Sequence, residues 1–144
     1  MRVLVQRSLN SSVEVDGKTT GSIDNGLVLL VGFTEGDNID TIKYLVKKIV
    51  NLRIFDDENG VMNRSILDVG GSILSISQFT LYADTSKGNR PSYMNALGGE
   101  EATKLYDLFN KELSEYVDVS TGIFGADMKV SITNNGPVTI LLER

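Results

Sequence analysis

Two short polar segments, each flanked by apolar residues, carry the side chains that could do chemistry. The first runs from Ser77 to Thr80, at the end of an apolar run, and brings two hydroxyls and an amide together within four residues. The second runs from Thr133 to Thr139 and contains one of the two prolines of the chain. Polar groups at a buried strand end must be satisfied by the protein or by a ligand. We therefore predict that the two segments build one site.

The residue types that are absent limit this chemistry further. The chain has no Cys and no His, which excludes a thiolate nucleophile, a Ser-His-Asp triad and the commonest metal ligand. Catalysis must then use carboxylates, lysines, hydroxyls, backbone amides or groups of the substrate. The acidic stretch 56–60 lacks the glycine position and the closing glutamate of a calcium loop, so it predicts a turn. No metal-ligand spacing is present, and we predict neither a metal nor a cofactor.

Each polar segment also has a purely structural interpretation. Asn135-Gly136-Pro137 has the chemistry of a turn, and a plain trans corner is the simpler alternative, since cis X–Pro bonds are only about 5–6% of the total in folded proteins. The hydroxyls between Ser77 and Thr80 can instead bond neighbouring backbone in a core strand. The residues alone leave both alternatives open.

Composition and charge bound the class of protein. With 144 residues, 41% hydrophobic and 23% charged, the chain predicts one globular domain spanning residues 1–144. A net charge of −5 argues against broad nucleic-acid binding, and we expect no DNA partner, but it allows a partner that touches only the tip of an RNA. The chain enters a strand pattern at Val3, with no signal peptide and no apolar run of bilayer length. We expect a cytoplasmic protein without a membrane partner.

Two segments have a helical period, and the others read as strands. Apolar residues follow one stripe from Asp37 or Asn38 to about Leu52, and again from Glu100 to about Val117. Extended or alternating apolar runs predict strands. The order predicts a single-domain α/β fold with a mixed β-sheet, sheet-on-sheet packing (α/β/β layers) and two main helices. The predicted strands are residues 2–7, 12–16, 27–33, 53–55, 72–82, 119–124, 128–133 and 138–142.

The two polar segments together resemble the paired signature of the D-aminoacyl-tRNA deacylases, once called D-tyrosyl-tRNA deacylases. Both motifs occur in order at the usual length, which makes the match highly specific, and the departure we notice is Tyr93, where the family usually has Phe. The likeness covers essentially the whole chain. It includes Ser77-Gln78-Phe79-Thr80-Leu81, residues 134–139, Val5-Gln6-Arg7, Arg53-Ile54-Phe55, Met62-Asn63, Gly88-Asn89-Arg90-Pro91-Ser92 and residues 124–128.

The resemblance implies a homodimeric enzyme that hydrolyses the ester between a D-amino acid, or glycine, and the terminal adenosine of tRNA. Each active site would be shared across the interface: one subunit contributes a catalytic strand end, and the other a cis Gly-Pro bond whose carbonyls hold the substrate ammonium. An L side chain would be driven into that bond, so selectivity would be steric rejection. The implied residues are Ser77, Gln78, Phe79 and Thr80 for catalysis, and Gly136, Pro137, Asn134, Arg7 (as the support of the Gly-Pro turn) and Met128 for substrate binding. As a separate prediction, we expect Lys87 and Arg90 of the polar loop to contact RNA phosphates.

Three mechanisms or functions compete on this scaffold. Backbone N–H groups of Phe79 and Thr80 would stabilise the oxyanion while the 2′-hydroxyl of the RNA positions water. Thr80 as a covalent nucleophile is the rival mechanism, weakened by the absence of an adjacent base, and it would suit a hydrolase of other aminoacyl esters. The alternative from another class is a non-catalytic nucleic-acid-binding module on the same fold.

Overall fold

The computed structural model describes all 144 residues, and it places seven strands and three helices in one α/β domain. The strands are β1 (Arg2–Val15), β2 (Lys18–Gly32), β3 (Phe55–Asp56), β4 (Met62–Arg64), β5 (Ser72–Ser77), β6 (Val119–Thr121) and β7 (Lys129–Glu143). The helices are α1 (Ile39–Val50), α2 (Ile66–Val69) and α3 (Gly99–Ser114).

The main sheet has the order β6-β5-β2-β1-β7, and β3 and β4 form a separate two-stranded sheet. Strand β1 is antiparallel to both β2 and β7, whereas β5 is parallel to β2 and to β6. The expected single-domain α/β fold with a mixed sheet is therefore confirmed. The short helix α2 was not expected from the sequence.

The two long helices cover one face of the sheet. The Asn38 side chain accepts hydrogen bonds from the first N–H groups of α1, as an N-cap should. The buried side of α1 is the apolar stripe seen in the sequence, and α3 packs beside it through Tyr106, Phe109 and Leu113. Both predicted helices are confirmed. None of the helices is long and apolar enough to cross a membrane.

The other face of the sheet is covered by the far ends of its own long strands. Val13 and Ile23, from the tip of the β1–β2 hairpin, share a buried cluster with Val28, Leu74 and Ile76. Bulges in β1 bend the hairpin. The result is one curved sheet, where the sequence had predicted two stacked layers of strands.

The curvature brings β2 against β6, although β5 lies between them in the sheet. The hydroxyl of Ser120 donates to the Ser22 carbonyl at 3.1 Å. A Cβ atom on Gly21 would lie only 2.7 Å from the Thr121 carbonyl oxygen. Glycine is therefore required where the two backbones meet.

Several predicted strand boundaries were wrong. Residues 2–7 and 12–16 lie in the single strand β1, β2 already begins at Lys18, β6 ends at Thr121, and β4 was not predicted. Strand β5 ends at Ser77, and Phe79–Tyr82 form a 3₁₀ turn where a strand was expected to run on to residue 82. The backbone hydrogen bonds of this segment join residues three positions apart and no longer join two strands. The Leu81 N–H donates to the Gln78 carbonyl, and the Ala83 N–H donates to the Thr80 carbonyl. Near the C-terminus, residues 129–143 form one strand, so the Gly-Pro pair interrupts its pairing with β1 without ending it.

Candidate active site

A cavity of about 260 Å³ lies at the end of β5, between the sheet and the N-terminal end of α3. No ionisable side chain lines it, and its polar side chains are those of Ser77 and Gln78. Any acid–base or nucleophilic chemistry must therefore come from hydroxyl, amide or backbone groups, or from the bound molecule. The apolar part of the wall includes Phe33, Leu97, Ala102, Phe124, Met128 and Val130.

Strand β2 positions the polar wall of the cavity. Ser77 pairs with Val31, and the Gln78 N–H then donates to the Val31 carbonyl at 2.7 Å. The next residue of β2, Gly32, lies beneath the 3₁₀ turn, and a Cβ there would be 2.9 Å from the Gln78 carbonyl oxygen. Gly32 is a site residue that sequence reasoning missed. The available signal was a glycine inside an apolar central strand, which marks a close backbone approach.

The 3₁₀ turn presents main-chain donors beside the cavity. The N–H groups of Phe79 and Thr80 have no hydrogen-bond partner within the turn, because the carbonyl that each would need lies before the turn begins. The Thr80 side chain is exposed, and its oxygen accepts a hydrogen bond from the Gln78 amide at 2.5 Å. Thr80 has no carboxylate, lysine or other base as a hydrogen-bond partner.

A polar loop, residues 83–95, flanks the cavity on the side of Phe79. The Phe79 ring is 53% exposed and meets the Tyr93 ring edge-on, with 5.1 Å between centroids. Paired backbone hydrogen bonds between Asp84 and Ser92 close the loop. The Ser86 N–H bonds the Asp84 carboxylate and so holds the pKa of Asp84 below its usual value.

The two cations predicted to contact RNA lie on this loop. Lys87 and Arg90 are both exposed, and neither forms an ion pair or a side-chain hydrogen bond. The loop's far end is tied to the end of β2, because the Thr34 hydroxyl donates to the Asn95 carbonyl at 2.7 Å. The loop is therefore anchored next to the cavity with its charges free.

The Gly136-Pro137 segment is held from beneath by Arg7. The peptide bond between Gly136 and Pro137 is cis, as the resemblance implied, and both residues are exposed. Arg7 is only 7% exposed. Its guanidinium donates to the Asn135 carbonyl at 3.0 Å, to the Ile54 carbonyl at 2.8 Å and to the Asp56 carboxylate at 3.0 Å. Arg7 thus joins the Gly-Pro segment to the β3–β4 hairpin.

Asn134 turns its side chain back onto its own strand. The amide oxygen accepts from the Val138 N–H at 3.1 Å, and the amide nitrogen donates to the Thr139 hydroxyl at 2.8 Å. These bonds bracket Gly136 and Pro137 on both sides. The geometry is that of a residue that shapes the segment, whereas the sequence had placed it among the substrate-binding residues.

Within one chain, the two polar segments do not meet. Ser77 pairs with Val31 of β2, which in turn pairs with Val3 of β1. Gly136-Pro137 lies instead beside Arg7, four residues further along β1. Three strand spacings also separate β5 from β7. At about 3.3 Å per residue and 4.8 Å per strand, the separation is on the order of 20 Å. The structure brings residues 77–79 and Met128 together at the cavity, and it places the other predicted substrate-binding residues away from it.

The fold and the two segments can now be compared with known proteins. A family model described as D-Tyr-tRNA(Tyr) deacylase matches residues 4–143. The chain belongs to this family. Membership confirms the family that the paired motifs resembled, and with it the class of enzyme, a hydrolase of D-aminoacyl-tRNA.

Similar proteins agree over the full length of the chain. The D-aminoacyl-tRNA deacylase of Clostridium botulinum (strain 657 / Type Ba4) is 58% identical over 144 residues, which cover 99% of this chain and 97% of that protein. The corresponding protein of Clostridium novyi (strain NT) is 57% identical with the same coverage. The match extends over the whole domain that carries the deacylase fold.

Solved structures show the same fold. The c-Myc DNA Unwinding Element Binding Protein superimposes with a TM-score of 0.94 at 38% identity, covering 100% of this chain and 99% of that one. The structure of a probable eukaryotic D-amino acid tRNA deacylase superimposes with a TM-score of 0.81 at 17% identity, covering 98% and 97%. At that identity the second likeness concerns the fold alone.

Proposed function

We propose that this deacylase cleaves the ester of D-aminoacyl-tRNA at the cavity beside Ser77 and Gln78, releasing the D-amino acid and free tRNA in the cytoplasm. The observation that carries the proposal is the cavity wall itself, which has no ionisable side chain. Such a wall suits an ester group, because the negative charge that develops on its carbonyl oxygen can be stabilised by main-chain groups. The terminal adenosine brings the hydroxyl that the protein lacks.

Main-chain donors account for the catalytic step. The N–H groups of Phe79 and Thr80 stabilise the negative oxygen that forms when water attacks the ester carbonyl, and one such donor is worth about 2.7–4 kcal/mol. The 2′-hydroxyl of the terminal ribose positions the water. The Thr80 hydroxyl is a poor nucleophile, because its side-chain partner is the Gln78 amide and not a base.

Discrimination between D- and L-aminoacyl esters depends on a second subunit. Since the chain's own Gly136-Pro137 is on the order of 20 Å from Ser77, a partner subunit supplies this segment to the cavity, and its carbonyls bind the substrate ammonium. With ammonium and ester both fixed, a D side chain points to solvent and an L side chain meets the segment. Glycine has no side chain to reject, so glycyl-tRNA is a substrate too. Support for this arrangement comes from the exposure of both residues and their fixation by Arg7.

The loop cations position the RNA. Lys87 and Arg90 are exposed, unpaired and anchored beside the cavity, so they contact phosphates of the acceptor end. Each such contact contributes to the salt dependence of binding. Removing either cation weakens tRNA binding and flattens its salt dependence; an unchanged salt slope rejects the contact.

Ester loss from D- and L-tyrosyl-tRNA, measured side by side, tests the proposed function. We expect rapid loss of the D-ester and little effect on the L-ester beyond spontaneous hydrolysis. Equal loss of both esters would indicate a general aminoacyl-ester hydrolase. Binding of tRNA without any ester loss would indicate a non-catalytic nucleic-acid-binding module.

A further inference from the structure

We propose that the outer face of α1 is a second RNA-contact surface, which binds the phosphate backbone of the tRNA acceptor stem. This surface, the α1 basic face, consists of Lys43, Tyr44, Lys47, Lys48 and Asn51. It extends the proposed function, because it assumes that tRNA is the substrate. Neither the cavity nor the polar loop includes any of these residues.

The α1 basic face is an exposed and uncompensated group of cations. All five residues are exposed, and they recur at the three- and four-residue spacing of one helix face. None of the three lysines forms an ion pair. Tyr44, Lys47, Lys48 and Asn51 line an open groove of about 490 Å³. The Asn51 amide donates to the Lys47 carbonyl, so what the face offers to a partner is its three unpaired cations.

The neighbouring helix shows the opposite charge balance. Four acidic residues and two lysines occupy α3, and one of those lysines, Lys104, pairs with Glu100 at 2.7 Å. On α1 three lysines stand against the single acid Asp40. The helix dipole favours the two lysines of the last turn of α1, but it does not account for Lys43 or for the exposed Tyr44. In a chain of net charge −5, such a local positive face is suited to a polyanion, as are the loop cations Lys87 and Arg90.

Arginine–aromatic contacts connect this face to the catalytic turn. Arg2 donates to the Leu81 carbonyl at 2.8 Å and lies over the Tyr82 ring, 4.6 Å from its centroid. Strand β7 ends beside Arg2, and Arg144 lies over the Tyr44 ring at 4.7 Å. The surface from the 3₁₀ turn to α1 is thus continuous. An RNA whose terminal adenosine sits in the cavity can reach the α1 basic face with the stem that follows it.

The chemistry of the face fits the RNA backbone better than the bases. Lysines act as point charges and lack the fork of donors that reads a base edge, and phosphate contacts orient a nucleic acid without reading its sequence. Lys43 and Lys47 are one helical turn apart, about 6 Å along the axis. The groove is open, as a surface for a wide RNA helix must be. This surface would bind the stems of different tRNAs alike.

The double variant Lys47→Gln/Lys48→Gln tests the inference, with Lys104→Gln/Lys111→Gln on α3 as the matched control. Each protein is assayed on D-tyrosyl-tRNA and on the stemless ester 3′-O-(D-tyrosyl)adenosine, and its Kd for uncharged tRNA is measured from low to moderate salt. In the α1 variant we expect KM and Kd for tRNA to rise about tenfold, and the slope of log Kd against log salt to fall by about 1.5. Turnover of the stemless ester stays at the wild-type rate. The control pair leaves the KM for tRNA, the Kd for tRNA and the salt slope at their wild-type values.

Three results would overturn the inference. One is an α1 variant with unchanged KM, Kd and salt slope; another is an equal loss in the α3 control. A third is an equal loss on both esters, which would indicate damage to the cavity. Failure of the proposed function gives a different pattern, in which the wild-type protein cleaves neither ester, and the tRNA Kd series then still decides whether α1 binds RNA.

Discussion

Thr80 is the residue at which the two catalytic mechanisms differ most. Its hydroxyl accepts a hydrogen bond from Gln78 and has no base as a partner, and its side chain is exposed. We predict that Thr80→Ala keeps turnover of D-tyrosyl-tRNA within about tenfold of wild type, because only the main chain of this residue is used. Single-turnover ester hydrolysis measures this, with the exposed Thr85→Ala as control. A loss above about a thousandfold in a folded protein would identify Thr80 as the nucleophile.

Arg7 is the residue that links the Gly-Pro segment to the rest of the fold. Arg7→Met removes a buried guanidinium and leaves the carbonyls of Asn135 and Ile54 without their donor. We predict a loss of about 2–4 kcal/mol in the free energy of unfolding, since hydrogen bonds to charged groups contribute about 1.5–3 kcal/mol each. Urea denaturation measures it. Arg90→Met, at an exposed and unpaired position, should be close to neutral; an equal, small change in both variants would contradict the role of Arg7.

At the residue scale, motif positions were predictable but side-chain directions were not. The residue types pointed to Ser77 and Gln78, the family resemblance pointed to Met128, and all three line the cavity. Asn134 was expected to face the substrate, yet its amide bonds Val138 and Thr139 of its own strand. A polar side chain in a motif can serve the ligand or the backbone, and only the local geometry distinguishes the two.

At the element scale, periodicity predicted helices better than strand ends. The apolar stripe of α1 and its Asn38 cap are local features, and both are visible in the sequence. Strand β5 was extended too far because Phe79 and Leu81 continue an alternating apolar pattern. Their backbone instead closes a 3₁₀ turn, which Gly32 of another strand permits by leaving room beneath it. Such a contact between elements has no signature in the turn itself.

Gly32 gives the corresponding prediction for the turn. In Gly32→Ala the new methyl group would lie 2.9 Å from the Gln78 carbonyl oxygen and 3.3 Å from Leu81 Cβ, so the turn must move away from β2. A displacement of that kind misplaces the main-chain donors, and we predict a drop of at least tenfold in kcat/KM for D-tyrosyl-tRNA. Gly98→Ala is the control, because a methyl group there meets nothing within 4 Å. Equal activity of the two variants would show that the turn position does not matter.

At the scale of the whole molecule, the curvature of the sheet was the feature that the sequence concealed. Strands alone predicted sheet-on-sheet packing, but the second layer consists of the bent ends of β1, β2 and β7. The curved sheet closes on itself where the backbones of Gly21 and Thr121, a hundred positions apart in the sequence, approach each other. Contacts of this range leave no local pattern, whereas the mixed α/β class follows from the order of elements.

The central claim is that each active site needs two chains, and mixing two damaged chains tests it most directly. Gly32→Ala displaces the 3₁₀ turn. Gly136→Ala places a methyl group 2.9 Å from Val138 Cγ2 in a residue with φ of +132°, which distorts the Gly-Pro segment. Each variant alone should lose at least about tenfold in turnover of D-tyrosyl-tRNA. After the two are unfolded together and refolded, random pairing makes about half of the dimers mixed, and each mixed dimer has one undamaged site of two.

We therefore predict that the refolded mixture recovers about a quarter of the wild-type turnover, far above the average of the two variants refolded separately. Wild-type protein carried through the same refolding sets the scale. A mixture no more active than that average, with mixed dimers present, would contradict the shared active site.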